Sequence, residues 1–213
     1  MNKHWLDLLN RIKENIFSND VDEDYFKNYY QTLELYYTNK RFYHTLNHIK
    51  ILLDSLHDFH ITEVEKIKLE LAIWFHDIIY NSKAKNNEEE SINEFTKFAI
   101  YVGLNFDLNL EINDIIFATR HKDTAQTRLQ KIMCDVDLKE FAFDNYIKNS
   151  NNIKKEFSHL TDKEWIKGRS DFLKTFINKE FIYYTDEYRD ALEDTARINL
   201  KKELDYINIK KEN

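Results

Sequence analysis

An all-α fold is what this sequence predicts, and three observations carry the prediction. The 213 residues include only two glycines, Gly103 and Gly168, and no proline. β-Sandwiches and glycine-rich nucleotide folds need many tight turns, and tight turns draw heavily on those residues. Apolar side chains recur at three- and four-residue spacing along most of the chain, the period of helices with one buried face. The interruptions, such as "TNKR" and "NSKAKNNEEE", are short and polar. The length suffices for one good core or two small lobes, and a single helical bundle over 1–213 is the natural reading.

In residues 3–17, Trp5, Leu8, Leu9, Ile12 and Ile16 share a helical face. The cap-like run "SNDVDED" then opens an aromatic-rich helix, "YFKNYYQTLELYY". Residues 44–59 read as a helix with Ile49, Leu52, Leu53 and Leu56 inward, and 64–80 as the most apolar helix. A helix over 91–102 follows, with Gly103 as its C-terminal cap. Residues 112–119 and 127–141 are helical, the latter with Leu129, Ile132, Met133 and Val136 on one face. Phe157, Trp165, Phe172, Leu173 and Phe176 keep helical spacing through the last third, and 187–206 form a final amphipathic helix.

Composition excludes several classes. With 42% hydrophobic and 32% charged residues, the chain reads as soluble and globular, neither disordered nor membrane-embedded. A net charge of −7 argues against a broad nucleic-acid surface. The N-terminal stretch lacks the continuous apolar core of a signal peptide, and no window approaches the roughly 20 apolar residues of a membrane span. The one cysteine, Cys134, cannot form an intramolecular disulfide. It reads as a small core residue and fits a reducing, cytoplasmic setting.

Three short stretches bear residues that could carry chemistry. In "RFYHTLNHIK", His44 and His48 are four apart and would share a helix face. His48 is not part of a zinc-protease signature, since Thr45 follows His44 where that signature has Glu. In "LAIWFHDIIYN", His76 and Asp77 interrupt an apolar helix. Burying an unpartnered carboxylate is costly, and a divalent cation offsets that cost while also accepting a neutral imidazole. Adjacent helix residues point about 100° apart, so both reach one ion only at the helix flank or end. In "CDVDLKE", Asp135 and Asp137 lie about 200° apart and cannot serve one site unless the helix breaks. Helical geometry alone does not choose between them.

Together, His48, His76-Asp77 and a distant Asp137 before Leu138 resemble the HD superfamily of metal-dependent phosphohydrolases. The ordered marks R-x-Y-H-x-x-x-H-I, A-x-W-F-H-D-x-x-Y, N-E-x-x-S, T-x-H, D-x-D-L, G-R and A-R-x-N-L-x-x-E-L run from Arg41 to Leu204. They are similar to a bacterial subfamily of predicted metal-dependent HD phosphohydrolases. The resemblance implies an HD-type helical fold with a metal-site core at about 41–141 and C-terminal helices at 153–207 packed on it. It implies one metal held by His48, His76, Asp77 and Asp137. Asp137 is preferred over Asp135 because the related ligand precedes a leucine in an A-D-x-L context.

Two imidazoles and two carboxylates suit Mn, Fe, Co, Ni or Zn better than Mg, which prefers oxygen ligands. The implied reaction is attack of a metal-activated water on phosphorus, with Asp77, Glu88 and His121 as catalytic groups. Glu88 matches N-E-x-x-S, where Ile92 replaces a common alanine. Arg41, His44, Tyr80 and Arg197 are the expected substrate contacts, the arginines as phosphate clamps. A small phosphorylated substrate, such as a nucleotide, is the expected partner. Two alternatives stand beside this reading: a regulatory module that binds a nucleotide without turning it over, and a di-iron HD-type oxygenase.

Overall fold

The structure, a computed structural model, describes residues 1–16, 21–122 and 125–212. Phe17 and the first cap residues Ser18, Asn19 and Asp20, together with Asp123 and Thr124 of the "RHKDTAQ" loop, lie outside the described residues. Among the described residues all regular structure is helical: ten α-helices, two short 3₁₀ turns and no strand. No helix among them is long and apolar enough to cross a membrane. The chain divides into two compact units, residues 1–133 and 134–213.

The first unit holds α1 (Asn2–Asn15), α2 (Glu23–Thr38), α3 (Leu46–Ser55), α4 (Glu63–Phe75), α5 (Asn87–Val102) and α6 (Phe106–Ala118). Helix α7 (Arg128–Leu138) begins in this unit and continues without a break past residue 133. Trp5, Leu8, Leu9 and Ile12 of α1 are all buried, as their spacing predicts. Helix α4 is the centre of the unit and packs against α1, α3, α5 and α6. Its residues Leu71 to Phe75 are buried on every side, the signature of a helix enclosed by others. A capping box at Thr62 and Glu65 starts it. Trp5 ties α1 to this core: its ring stacks on Phe26 at 4.2 Å and meets Trp74 edge-on at 5.4 Å. Its Nε1 donates to the Phe26 carbonyl at 2.7 Å, so the buried indole is satisfied. Gly103 closes α5 at φ 84°, where a Cβ would be strained.

Two helices differ from the expected bounds in ways that matter for function. The helix expected over 64–80 stops at Phe75, and the one expected over 44–59 starts at Leu46. Thr45 is extended, at φ −117° and ψ 174°, so His44 lies in the loop before α3.

The second unit holds the end of α7, α8 (Tyr146–Glu156), α9 (Asp162–Ile177) and α10 (Asp186–Glu212). Its polar core is an ion pair between Arg169 and Glu203, with Nε to Oε1 at 2.9 Å and Nη2 to Oε2 at 3.0 Å. The Tyr146 and Ser150 hydroxyls also donate to Glu203. Burial alone would raise the Glu203 pKa, but Arg169 and the two hydroxyls outweigh it and hold the carboxyl below its usual value. Glu203 and Asn199 of the last motif are structural in this sense. Asn199 Nδ2 donates to the Phe141 and Phe143 carbonyls at 2.9 and 3.1 Å.

Removing one partner of a buried pair strands the other, so Arg169→Met should cost about 3–5 kcal/mol in urea unfolding. A carboxylate with a depressed pKa contributes stability that is present above its unfolded pKa and fades as pH falls through the folded one. The wild type should therefore lose this contribution on acidification below the ordinary glutamate value of 4.5, and Glu203→Gln should flatten that part of its stability profile.

Candidate metal centre

The site begins where α4 ends. His76 is the C-cap, its N–H still bonded to the Ala72 carbonyl at 2.8 Å. Asp77 is the first residue past the helix, so the pair occupies the helix end that its angular separation requires. The chain leaves the helix because side chains take over the backbone's hydrogen bonds. Arg41 Nη1 donates to the Asp77 carbonyl at 2.6 Å and Nη2 to the Ile78 carbonyl at 2.7 Å. Ser91, fully buried on α5, accepts from Ile79 N at 3.2 Å and donates to Ile79 O at 3.3 Å. Asn87 pairs with Asn81 through both backbone groups, at 2.9 and 3.1 Å.

His76 is 1% exposed, and its Nδ1 lies 2.9 Å from the Ile73 carbonyl. A carbonyl only accepts, so Nδ1 carries the proton. In the neutral ring Nε2 then bears the lone pair, which is the tautomer a metal takes. Asp77 Oδ2 is 3.1 Å from that Nε2. Two acceptors this close repel unless a proton or a cation lies between them. His48, in the first turn of α3 and 2% exposed, has its ring 5.6 Å from that of His76.

His48, His76 and Asp137 each offer one ligand atom, and the three atoms lie within 4.8 Å of one another. The group could hold a metal ion. Asp137 sits on the last turn of α7, one turn past Met133. Asp77 is not one of these three; its carboxylate stands beside His76 and 3.9 Å from His44 Nε2.

The other residues singled out in the sequence fall into two groups. His44 stacks on Tyr80 with ring centroids 4.0 Å apart, and Arg41 lies over Tyr80 at 5.8 Å and over Tyr37 at 4.9 Å. Arg41, His44 and Tyr80 are thus gathered with His48, His76 and Asp77. The guanidinium of Arg41 straps the 77–78 backbone and also reaches the His44 carbonyl at 3.3 Å. Lys40, just before it, holds a left-handed backbone at φ 57°. Glu88 lies in the first turn of α5, partly buried. His121 follows α6 with φ 53°. Between their neighbours, Arg120 Nη1 and Glu89 Oε1 are 3.4 Å apart. Arg197 lies on α10, bonded through Nε to Glu193 at 2.7 Å and through its Nη atoms to the Ile177, Lys179 and Glu180 carbonyls. It caps the end of α9.

Asp135, the alternative to Asp137, is fully buried. Its carboxylate accepts from Tyr184 N at 2.7 Å, Thr185 N at 2.8 Å and Thr185 Oγ1 at 2.6 Å. Burial pushes its pKa up to about 6 against the pull of those donors. It caps the start of α10.

Asn87 and Ser91 are the site residues that sequence reasoning passed over in favour of Glu88. The available signal was their spacing: four apart at a helix start, they face the same side, toward the loop that carries Asp77. Compared with protein-family models, curated proteins and solved structures, the chain matches none.

Outer residues that orient metal ligands typically cost 10–100-fold in metal affinity when lost. Arg41→Met should weaken Mn²⁺ or Co²⁺ binding by about that factor in calorimetric titration. Ser91→Ala should act in the same direction.

Proposed function

We propose that this chain is a metal-dependent phosphohydrolase of the HD type, acting on a nucleotide or another small phosphorylated metabolite. The observation that carries the reading is the convergence of His48, His76 and Asp137 within 4.8 Å. The Nδ1–H of His76, directed at the Ile73 carbonyl, supports it, because it leaves Nε2 as the nitrogen available to an ion. So does the ordered set of sequence marks from Arg41 to Leu204. The donor set of two imidazoles and carboxylate fits Mn, Fe, Co, Ni or Zn.

A bound divalent ion would supply a Lewis acid and an acidified water for attack on phosphorus. His48, His76 and Asp137 would hold the ion, and Asp77 would either complete that set or accept a proton from water at the site. Asp77 suits either role, since its side chain is 18% exposed and borders both His76 and His44. Glu88 and His121 are the further candidates for proton transfer. His44 and Tyr80, stacked on one another, form an aromatic wall suited to a base or sugar ring.

The test is metal analysis of the purified chain, then a panel of nucleotides and sugar phosphates with phosphate and pyrophosphate both measured. The wild type should bind about one ion and turn over at least one substrate. His48→Ala and Asp137→Asn should each lower metal affinity and activity by more than the 10–100-fold of an outer residue. His76→Ala with full metal content and activity would refute the reading. Tight nucleotide binding without product would make the chain a binding module.

A further inference from the structure

We infer that Asp135 is a positioning residue for Asp137, pinning the rotation of α7 from the side opposite to the metal ligand. The inference rests on Asp137 being a ligand, as proposed above. Residues two apart on a helix point about 200° from one another. Fixing Asp135 therefore fixes the direction in which Asp137 leaves the helix.

The pin is well made. Asp135 is fully buried and receives three donors, from Tyr184 N, Thr185 N and Thr185 Oγ1, at 2.6 to 2.8 Å. Two of those donors are backbone groups at the start of α10, which no side-chain rotation can withdraw. A second hold sits next to Asp137 on the other side. The Tyr183 hydroxyl, itself buried, donates to the Leu138 carbonyl at 3.2 Å. Beyond that, Asn199 holds the turn after α7 through the Phe141 and Phe143 carbonyls.

The lever arm makes the pin matter. A carboxylate oxygen stands about 5–6 Å from a helix axis, so a rotation of about 20° swings it by about 2 Å. Metal ligands tolerate about 0.2 Å. A carboxylate at 135 has a further advantage over a neutral side chain, because only an acceptor of several bonds can seat three converging donors at once.

The experiment is titration of Co²⁺ into the full chain, followed by its visible absorption, with urea unfolding of the metal-free protein measured alongside. If the wild type takes up no Co²⁺, the metal reading fails. If it does, Asp135→Asn should raise the Co²⁺ Kd by about 10–100-fold and alter the absorption bands, because the carboxylate at 137 is misdirected. Thr185→Val, which removes one donor and keeps the shape, should do the same by a smaller factor, and it decides the matter should Asp135→Asn fail to fold. Ser150→Ala loosens the same unit through Glu203 without touching α7, and should lower stability while leaving Kd and bands unchanged. Wild-type Kd and bands in Thr185→Val, and in Asp135→Asn where it folds, would overturn the inference even if both variants were less stable.

Discussion

The structure turns on the abrupt end of α4. A helix whose apolar pattern continues through Ile78 and Ile79 stops at His76, and Arg41, 36 and 37 residues earlier in the chain, takes the Asp77 and Ile78 carbonyls past its end. Left in the helix, His76 and Asp77 would diverge. Released at its end, their donor atoms come within 3.1 Å. Each carbonyl turned away from the helix ladder would cost about 1–3 kcal/mol if buried without a donor, a cost that the Arg41 bonds offset.

The same logic governs the far end of the site. The candidate metal ligands are few, and most of the marked residues around them bond backbone. Arg41, Asn87 and Ser91 shape the 77–81 loop; Asp135, Tyr183 and Asn199 shape the end of α7. Arg197 and the Arg169–Glu203 pair hold α8, α9 and α10 as a unit. A polar side chain that replaces a lost helical or turn hydrogen bond is as exacting in identity as a catalytic one, because its geometry must match two fixed backbone groups at once. Sequence marks alone do not separate these duties.

That explains which parts of the protein were legible in its sequence. The all-helical class followed from apolar spacing, and the inward face of α1, from Trp5 to Ile12, lies as the period requires. The candidate ligands His48, His76 and Asp77 were singled out from their own stretches, whereas Asp137 was separated from Asp135 by the resemblance alone, because helical geometry left both open. Helix ends were the weak point. With two glycines and no proline, the chain has few of the residues that announce a stop, and the end of α4 is imposed from a distant segment. His44 was read into α3 for the same reason, since Thr45 is the N-cap yet makes no capping bond. Arg41 and Arg197 carry charges that suit phosphate, and nothing local in sequence tells that their guanidinium groups face main-chain oxygens.

Trp74 lies one residue before Phe75 and two before His76, fully buried and edge-on to Trp5. An indole two residues from a candidate histidine ligand is a resident fluorophore beside the candidate site. Its emission reports the apolar shell when that shell is intact and red-shifts when water enters. Ions with partly filled d shells, such as Co²⁺ and Ni²⁺, would dim it on arrival, whereas Zn²⁺ would not. Since Trp5 and Trp165 also emit, the Trp74 signal is the difference between the wild type and Trp74→Phe, and it would separate occupancy from integrity without any knowledge of what the protein acts upon.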